Sequence, residues 1–556
     1  MTSFGRGVCL LILASVLVLQ ACVSITVPQL AASPITQPSA TQVTPPSATA
    51  TPSPTPTPTP TPTRTPSPTQ SATTPVAASA TPTTPQGSRP TFASVDQAYA
   101  QTVTWSPCSP QGVPAECATV FVPTDYEQPA LGTTAIAVAR FQTASSPKGD
   151  LFINPGGPGS AGIGFAAYLT RVAPTLAGTY DLVGFDPRGT GQSDPLVCLD
   201  TAHLDALNAL DPTPSTDAAR QQRIDLIDAQ GAACLQNSGL LADHVTTIEA
   251  ARDIDVLRAV LGDAKLDYFG FSYGTFLGTT YAALFPDKVD RFVLDGAVAP
   301  GLSTMAASEV QTQGFQTAIT AYIKDCVTKV QSCPLGSNAD AAASKLRQLL
   351  VSVDQNPLST NDPARPLTQA LAFAGIADTM YNRASWSSLT GALAQALAGN
   401  GSALLALSDE YFDRSNGSYT TNLIQANEAI NCLDEEVAGG PTQVPESKFV
   451  ADSPIFGDII FGMADHGCGD WPPKTTLTPP DYSAPGTPPI LVVGTTRDPA
   501  TPLIWAQQLA STLDNGVLLT RNGDGHTAYL SGNRCIVQNV DDFLIGGTVP
   551  AIGTSC

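Results

Sequence analysis

The sequence predicts an α/β fold, with a mostly parallel central sheet flanked by helices and a large helical cap insertion. Five short apolar runs alternate with helical patterns, at residues 150–155, 180–186, 266–271, 289–295 and 489–494. Strands that are apolar throughout are typical of a parallel sheet covered on both faces. Residues 246–261 have apolar side chains near helical spacing. After residue 302 the pattern is helical up to the last apolar run, so we expect a cap inserted between two strands.

The chain has 556 residues, more than one ordinary compact domain holds. We therefore expect an ordered core that is preceded by a linker and interrupted by an insertion. The predicted segments are a signal peptide (1–22), a linker (23–94), the first part of the core (95–301), the helical cap (302–475) and the C-terminal part of the core (476–556).

The N-terminus has the features of a lipoprotein signal peptide. It carries one positive charge at Arg6, an apolar stretch over residues 8–19, and the small Ala21 before Cys22. An uncleaved membrane anchor is the alternative, but the apolar stretch is shorter than the ~20 residues that span a bilayer. The run that ends in Cys22 resembles a bacterial lipobox, although Gln20 departs from the usual pattern. We expect Cys22 to be acylated and the rest of the chain to be exported.

A Pro/Thr/Ser-rich segment follows, with TPSPTPTPTPTPTRTPSP at its centre. This composition cannot bury a core, so we predict a disordered, extended spacer between the membrane and the folded part. The formal net charge is −21, and no basic run occurs. Nucleic acid is therefore excluded as a partner, because nothing would neutralise its phosphates.

Ten cysteines follow Cys22, an even number that predicts disulfides in an exported chain. Connectivity does not follow from sequence, and pairing of neighbours along the chain is the simplest hypothesis. Zinc is the alternative, but the chain has no Cys-x-x-Cys and its four histidines show no ligand spacing. We expect no metal and no cofactor. The hypothetical pairs are Cys108–Cys117, Cys198–Cys234, Cys326–Cys333, Cys432–Cys468 and Cys535–Cys556.

The motif that carries chemistry is Gly-Phe-Ser-Tyr-Gly, centred on Ser272, between an apolar run and a helical run. A nucleophile elbow forces its central residue into a strained turn, so bulk is excluded two positions before and after. Gly270 and Gly274 meet that requirement. The alternative is a chance match in a chain with 45 glycines, but the strand before and the helix after favour a serine nucleophile.

A serine hydroxyl needs a histidine to take its proton and a carboxylate to orient that histidine. Asp498 lies just beyond the last apolar run, where the end of a strand would present it. His526 follows the strand-like residues 516–520. The alternatives are a solvated turn for Asp498 and His466 as the base, but His466 precedes the final strand. The predicted triad is Ser272, Asp498 and His526.

Backbone N–H groups must also stabilise the oxyanion that forms during acyl transfer. Tyr273, directly after the nucleophile, is the first expected donor. The second lies in NPGGPG, the glycine-rich turn after residues 150–155, where we favour Gly157 over Gly156. This turn does not fit a phosphate-binding loop, because it lacks the Lys-Ser/Thr ending.

Five motifs together resemble the secreted tripeptidyl aminopeptidase branch of the α/β-hydrolases, relatives of the proline iminopeptidases. They are NPGGPG, FDPRGTGQSDP, AARDIDVLRAVLG, GFSYGT and GTTRDPATP, and the similarity runs from about Thr102 to the C-terminus. The resemblance implies the α/β-hydrolase fold, a helical cap over the site and a TAP-like C-terminal segment. Asn154 stands where proline iminopeptidases carry His, which favours the tripeptidyl group. Asp186 and Arg188 are expected to brace the oxyanion loop.

An aminopeptidase must also bind the cationic α-amine of its substrate, and buried carboxylates are the physical means. The segment NCLDEE resembles the family's Cys-x-Asp segment near that subsite. We expect Asp434 first, and Glu435 second, to bind the substrate N-terminus. The alternative is a solvated acidic helix end.

These features predict an exported serine hydrolase of the aminopeptidase type, tethered to the membrane only through its N-terminal lipid. It would hydrolyse peptide bonds near free N-termini through an acyl-enzyme. A carboxylesterase or lipase would use the same triad, but a lipid substrate would favour an apolar cap. A non-catalytic surface binding module would be expected to lack a triad member, and all three residue types are present.

Overall fold

The computed structural model describes residues 89–556, except 144, 330, 441, 466, 467, 469 and 470. The predicted signal peptide, Cys22, nearly all of the linker and the alternative base His466 lie outside the described residues. Among the helices described, none is long and apolar enough to cross a membrane.

Eleven strands occur in the described residues, nine of them in one sheet. The sheet has the order β1-β2-β3-β5-β4-β6-β7-β10-β11. In this order across the sheet, β1, β2, β3 and β5 pair antiparallel with their neighbours up to β5. From β5 onward, through β4, β6, β7, β10 and β11, all pairs are parallel. The strands are β1 Ser106–Cys108, β2 Ala115–Pro123, β3 Thr133–Phe141, β4 Asp150–Asn154, β5 Asp181–Phe185, β6 Leu266–Phe271, β7 Val289–Asp295, β8 Arg414–Ser415, β9 Ser418–Tyr419, β10 Ile490–Arg497 and β11 Gly516–Asp524.

The parallel strands explain why the fold class could be predicted. Every residue of β5 and β6 is buried, as expected of strands packed on both faces. The five predicted runs coincide with β4, β5, β6, β7 and β10 to within a few residues. The three antiparallel strands at the N-terminal edge were not predicted.

From residue 89 to the cap the structure has seven helices, which cover the first part of the sheet. Two of them determine the site: α6 is capped by the Thr246 side chain, and α7 begins directly after Ser272. The helices are α1 Val95–Tyr99, α2 Gly162–Val172, α3 Pro174–Ala177, α4 Thr201–Asn208, α5 Asp217–Ser238, α6 Thr247–Leu261 and α7 Tyr273–Leu284.

Between β7 and β10, where the cap was predicted, the described residues form eight helices and the small β8–β9 hairpin. Most of them share a separate apolar cluster. Helix α13 differs, because its Ala426, Ile430 and Leu433 belong to the apolar cluster of the sheet. The helices are α8 Thr304–Lys329, α9 Ala339–Gln355, α10 Gln369–Tyr381, α11 Trp386–Leu397, α12 Ser402–Tyr411, α13 Leu423–Val437, α14 Glu446–Asp452 and α15 Gly457–Ala464.

After the cap the chain returns to the sheet through β10 and β11. Helices α16 Leu503–Thr512 and α17 Arg534–Gly546 complete this part. The ten cysteines form five disulfides, in the five sequential pairs expected from the sequence. Cys432–Cys468 ties α13 to the segment after α15. A chain with five disulfides is typical of extracytoplasmic proteins.

Candidate active site

Ser272 lies at the sharp turn between β6 and α7. Its φ is +55° and its ψ is −128°, a conformation that is strained for a residue with a side chain. Its N–H donates to the backbone oxygen of Asp295 at 2.9 Å. A Cβ added to Gly274 would lie 2.7 Å from the Asn154 oxygens. The glycine is therefore required because the elbow packs directly against the end of β4.

Asp498 directly follows β10, and His526 follows β11, so both lie at the carboxyl edge of the sheet. His526 Nδ1 is 2.9 Å from Asp498 Oδ1 and 3.0 Å from Oδ2. Asp498 also accepts backbone hydrogen bonds from Ala500, Thr501 and Thr527 at 2.8 to 3.1 Å. These bonds fix the carboxylate so that it can orient the imidazole.

The second imidazole nitrogen, Nε2, is buried and makes no hydrogen bond to any residue that the structure describes. Because Asp498 contacts Nδ1, Nε2 is the nitrogen that would accept a proton. Burial lowers the pKa of His526, but the charge and hydrogen bond of Asp498, with the charge of Asp295, outweigh burial and raise it. A Cβ added to Gly296 would lie 3.2 Å from His526 Cε1. The imidazole thus borders the same 295–296 segment that binds the Ser272 N–H.

Asp295 is a second buried carboxylate beside this site, and sequence reasoning missed it. It accepts from the backbone N–H groups of Ala528 and Tyr529 at 2.8 to 3.0 Å. Burial raises its pKa to about 6, against the opposing effect of those hydrogen bonds. Asp295 therefore holds the backbone that follows His526, whereas Asp498 contacts the ring. The available signal was an aspartate that ends an apolar strand.

The two predicted donors in the glycine-rich turn differ in availability. The Gly156 N–H donates to Asn154 Oδ1 at 3.0 Å, so it is already committed. Gly157 lines the cavity that contains Ser272 and Tyr273. A Cβ on Gly156 would lie 2.5 Å from the Phe271 backbone oxygen, so the turn passes very close to the elbow. This geometry favours Gly157 as a donor.

Asp186 and Arg188 occupy different surroundings, and the expectation for Arg188 is wrong. Asp186 accepts from the N–H of Ile163 at 3.0 Å and thereby supports the first turn of α2, next to the glycine-rich turn. Arg188 instead binds Asp253 on α6 and the backbone oxygens of residues 123, 124 and 244. Arg188 stays buried because these acceptors satisfy it there, so it joins α6 to the end of β2.

A cavity of about 300 Å³ lies above Ser272, between the sheet and the cap. Its walls include Gly157, Tyr381, Tyr411, Asp434 and Glu435. Helix α13 also closes over the glycine-rich turn, because Asn427 Nδ2 donates to the Pro158 oxygen at 3.1 Å. The structure thus brings the predicted acids into the same cavity as the serine.

Both acids have partners that sequence did not reveal. Asp434 Oδ1 accepts from the Thr247 N–H at 2.9 Å, and Oδ2 accepts from its hydroxyl at 2.5 Å. Thr247 Oγ1 also contacts the Tyr273 hydroxyl. Burial raises the pKa of Asp434 to about 7, although the bonds from Thr247 oppose the shift. Glu435 is 5% exposed, and its Oε2 accepts from the Thr304 N–H at 2.8 Å.

The described residues contain no group of three or more His, Cys, Asp or Glu side chains that could hold a metal ion. The chemistry of the site follows from the groups that it brings together. The site combines a strained serine, a histidine oriented by a carboxylate, the backbone N–H groups of Tyr273 and Gly157, and two acids, of which Glu435 is buried and Asp434 partly buried. That set suits acyl transfer from a substrate with a positive charge.

The profile of the family described as TAP-like protein matches residues 453–556, which include Asp498 and His526. Serine protease Hip1 of Mycobacterium tuberculosis is 37% identical over 484 residues, 82% of this chain and 91% of that protein. Carboxylesterase B of the same species is 33% identical, over 80% of this chain and 86% of that protein. Tripeptidyl aminopeptidase of Streptomyces lividans is 30% identical, over 82% and 86%. This chain therefore belongs to the family of α/β-hydrolase-fold serine hydrolases that includes these three proteins.

Proposed function

We propose that this protein is an exported serine exopeptidase that cleaves peptide bonds near free N-termini through an acyl-enzyme. One observation carries the proposal: the cavity that contains Ser272 also contains two carboxylates, Asp434 and Glu435, held in place by backbone N–H groups. Carboxylates of this kind bind an ammonium group, and a simple ester substrate has no need of them.

The proposed chemistry begins when Ser272 Oγ attacks the scissile carbonyl and His526 Nε2 takes the Oγ proton. Asp498 keeps the imidazole oriented and stabilises the resulting cation. The N–H groups of Tyr273 and Gly157 stabilise the negative oxygen. His526 then gives the proton to the leaving amine as the C–N bond breaks. Water, deprotonated by the same histidine, releases the acyl group and restores the serine.

The amine subsite is proposed at Asp434. Its carboxylate lines the cavity, and its position is fixed by two hydrogen bonds from Thr247. A solvated acidic helix end would not have these properties, because both acids are largely enclosed. A substrate ammonium would supply the positive charge that the buried carboxylate lacks, and it would place the N-terminus at a fixed distance from Ser272. The number of residues released would follow from that distance.

A carboxylesterase is the second candidate, and the similarity to carboxylesterase B favours it. The triad, the oxyanion donors and the fold would be the same. The two candidates differ in the cavity wall, because an esterase would gain nothing from charged groups opposite its nucleophile. The acids Asp434 and Glu435 therefore separate the two functions.

We also propose that the protein is a lipoprotein of the cell membrane, acylated at Cys22. The lipobox-like sequence and the spacer-like residues 23–94 support this. The test is metabolic labelling with a fatty acid in the native host, on wild type and Cys22→Ala. Label that persists in Cys22→Ala, or is absent from wild type, would contradict lipidation at this residue.

The experiment that tests the peptidase proposal is an assay of purified protein on mono-, di- and tripeptide anilides and on simple acyl esters of matched leaving group. An exopeptidase should prefer one peptide length and lose that preference when the amine is blocked. The matched control is Ser272→Ala, which must abolish every activity and all labelling by a serine-reactive phosphonate. Efficient turnover of esters without any preference for a free amine would support the carboxylesterase instead.

A further inference from the structure

The end of cap helix α10 and the turn that follows it contact the loop that carries His526. The Tyr381 backbone oxygen accepts from the His526 N–H at 2.8 Å. The Tyr381 ring also meets the imidazole edge-on, with 5.2 Å between the ring centroids. The backbone and the ring of His526 are therefore both contacted by a residue of the cap.

Arg383, two residues after Tyr381, connects the same turn to the sheet. Its guanidinium binds Asp524 at 2.7 Å and Asp325 on α8 at 2.7 Å. Asp524 ends β11 and also binds Arg497, the residue before Asp498. The Asp524 carboxylate thus links the end of β10, which precedes Asp498, and the end of β11, which precedes His526, to the cap.

We propose that Arg383 is a positioning residue, which docks the 381–383 turn of the cap on Asp524 and so holds His526 in place to accept the proton of Ser272. This inference rests on the role of His526 in the proposed function. The cap then helps to align His526, in addition to forming a wall of the cavity.

The exposures support a role in alignment more than in stability. The Arg383 side chain is 50% exposed and that of Asp524 is 9% exposed. An ion pair with one partner so exposed contributes little to folding, and Asp524 keeps Arg497 when Arg383 is lost. The reaction is more sensitive, because a displacement of about 1 Å can cost up to about a hundredfold in rate.

The test compares Arg383→Met with the conservative Arg383→Lys and with the control Lys329→Met. Lys329 also binds Asp325, at 2.7 Å, but it is not among the partners of Asp524. For each variant we would measure kcat and KM on an ester and on a peptide anilide. Amide hydrogen exchange over residues 521–530 would be followed in the same samples, since it does not depend on turnover.

Arg383→Met should lower kcat about three- to thirtyfold on both substrates, with KM within about twofold. The His526 amide should exchange about tenfold faster, and Arg383→Lys should restore a large part of both losses. Lys329→Met should match wild type. Unchanged exchange in Arg383→Met, or faster exchange with unchanged kcat, would overturn the inference even in an active peptidase. Failure of wild type to react with a serine-directed phosphonate would instead overturn the proposed function.

Discussion

Replacing Asp434 by Asn tests the proposed amine subsite separately from the catalytic triad. The amide keeps an oxygen for the Thr247 N–H, and its NH2 group can donate to the Thr247 hydroxyl in place of the present bond. The shape of the cavity is therefore preserved while the negative charge is lost. The triad contacts do not involve Asp434, so a change in rate reports on the amine.

The expected magnitude follows from the cost of leaving a buried charge without its partner. Such losses are about 2–5 kcal/mol. The pKa of Asp434, about 7, means that only part of the population is charged at neutral pH, which lowers the effect. We therefore expect kcat/KM on a free-amine tripeptide anilide to fall about tenfold to a thousandfold, since 1.4 kcal/mol is one decade. The acetylated substrate should change by less than about threefold.

The assay is the ratio of kcat/KM for the free substrate to that for its acetylated twin, between pH 5.5 and 8. The ratio cancels the titration of His526, which affects both substrates. Below pH 7 Asp434 becomes neutral and loses its attraction for the ammonium, so the wild-type ratio should fall on acidification. The ratio in Asp434→Asn should be flat.

Glu436→Gln is the matched control, because Glu436 lies on the same helix and accepts from the Thr475 N–H at 3.1 Å, yet it is not part of the cavity wall. It should behave as wild type. Glu435→Gln tests the second acid in the same way. A ratio in Asp434→Asn equal to that of wild type, with the wild-type ratio well above one, would refute the role given to Asp434.

Three further changes test the triad acid, the carboxyl of Asp263 and a disulfide of the cap. Asp498→Asn should lower kcat by about 10³–10⁴, because His526 takes the wrong tautomer, and a near-normal steady-state rate would show that another acid fills the role. Burial and two nearby carboxylates raise the pKa of Asp263 to about 7. The folded state therefore holds this proton more tightly than the unfolded state does. As pH rises from about 4 through 7, the folded state loses that stability. Asp263→Asn should therefore raise Tm at pH 8 and leave it unchanged near pH 4, and equal shifts at both pH values would contradict the assignment. Removing the Cys432–Cys468 disulfide, whose cysteines are 36 residues apart, should lower the free energy of unfolding by about 4 kcal/mol. Removing Cys326–Cys333, with a separation of 7, should lower it by roughly 2 kcal/mol. The reverse order in thermal unfolding would argue against the chain-entropy explanation.

The parallel part of the sheet could be predicted because burial on both faces imposes a simple pattern. The strands β4 and β10 contain the uninterrupted apolar runs Leu151–Ile153 and Ile490–Val493, which are followed by polar residues or glycine. The antiparallel strands β2 and β3 were not predicted, since β3 largely alternates buried and half-buried positions and is rich in Ala and Thr. A search for uninterrupted apolar runs does not detect that alternation.

The candidate site was predictable only where one local motif determines the geometry. The elbow at Ser272 depends on glycines two positions away, and Asp498 lies at the end of a recognisable strand. The contacts of the cap with His526 have no such signal, because Arg383 and Asp524 are separated by 141 residues. The partner of Asp434, Thr247, is 187 residues away. Such pairings come from tertiary packing, which one sequence does not reveal.

The position of α13 illustrates the same limit. Sequence assigned the acidic segment to the cap, whereas the apolar face of α13 packs with the cluster of the sheet. Its packing against the sheet, the Asn427 bond to the glycine-rich turn and the Cys432–Cys468 disulfide all hold the helix close to the serine. Contacts with both the sheet and the cap therefore hold Asp434 in a fixed position.

Recognition of the free N-terminus of a peptide can be measured by comparing two substrates. That measurement is kcat/KM of the wild-type protein, at pH 7.5, on a tripeptide anilide with a free amine and on its acetylated twin. Acetylation removes the positive charge and adds bulk at the enclosed acids, so we expect kcat/KM to fall about tenfold to a thousandfold. Equal values on the two substrates would contradict this expectation.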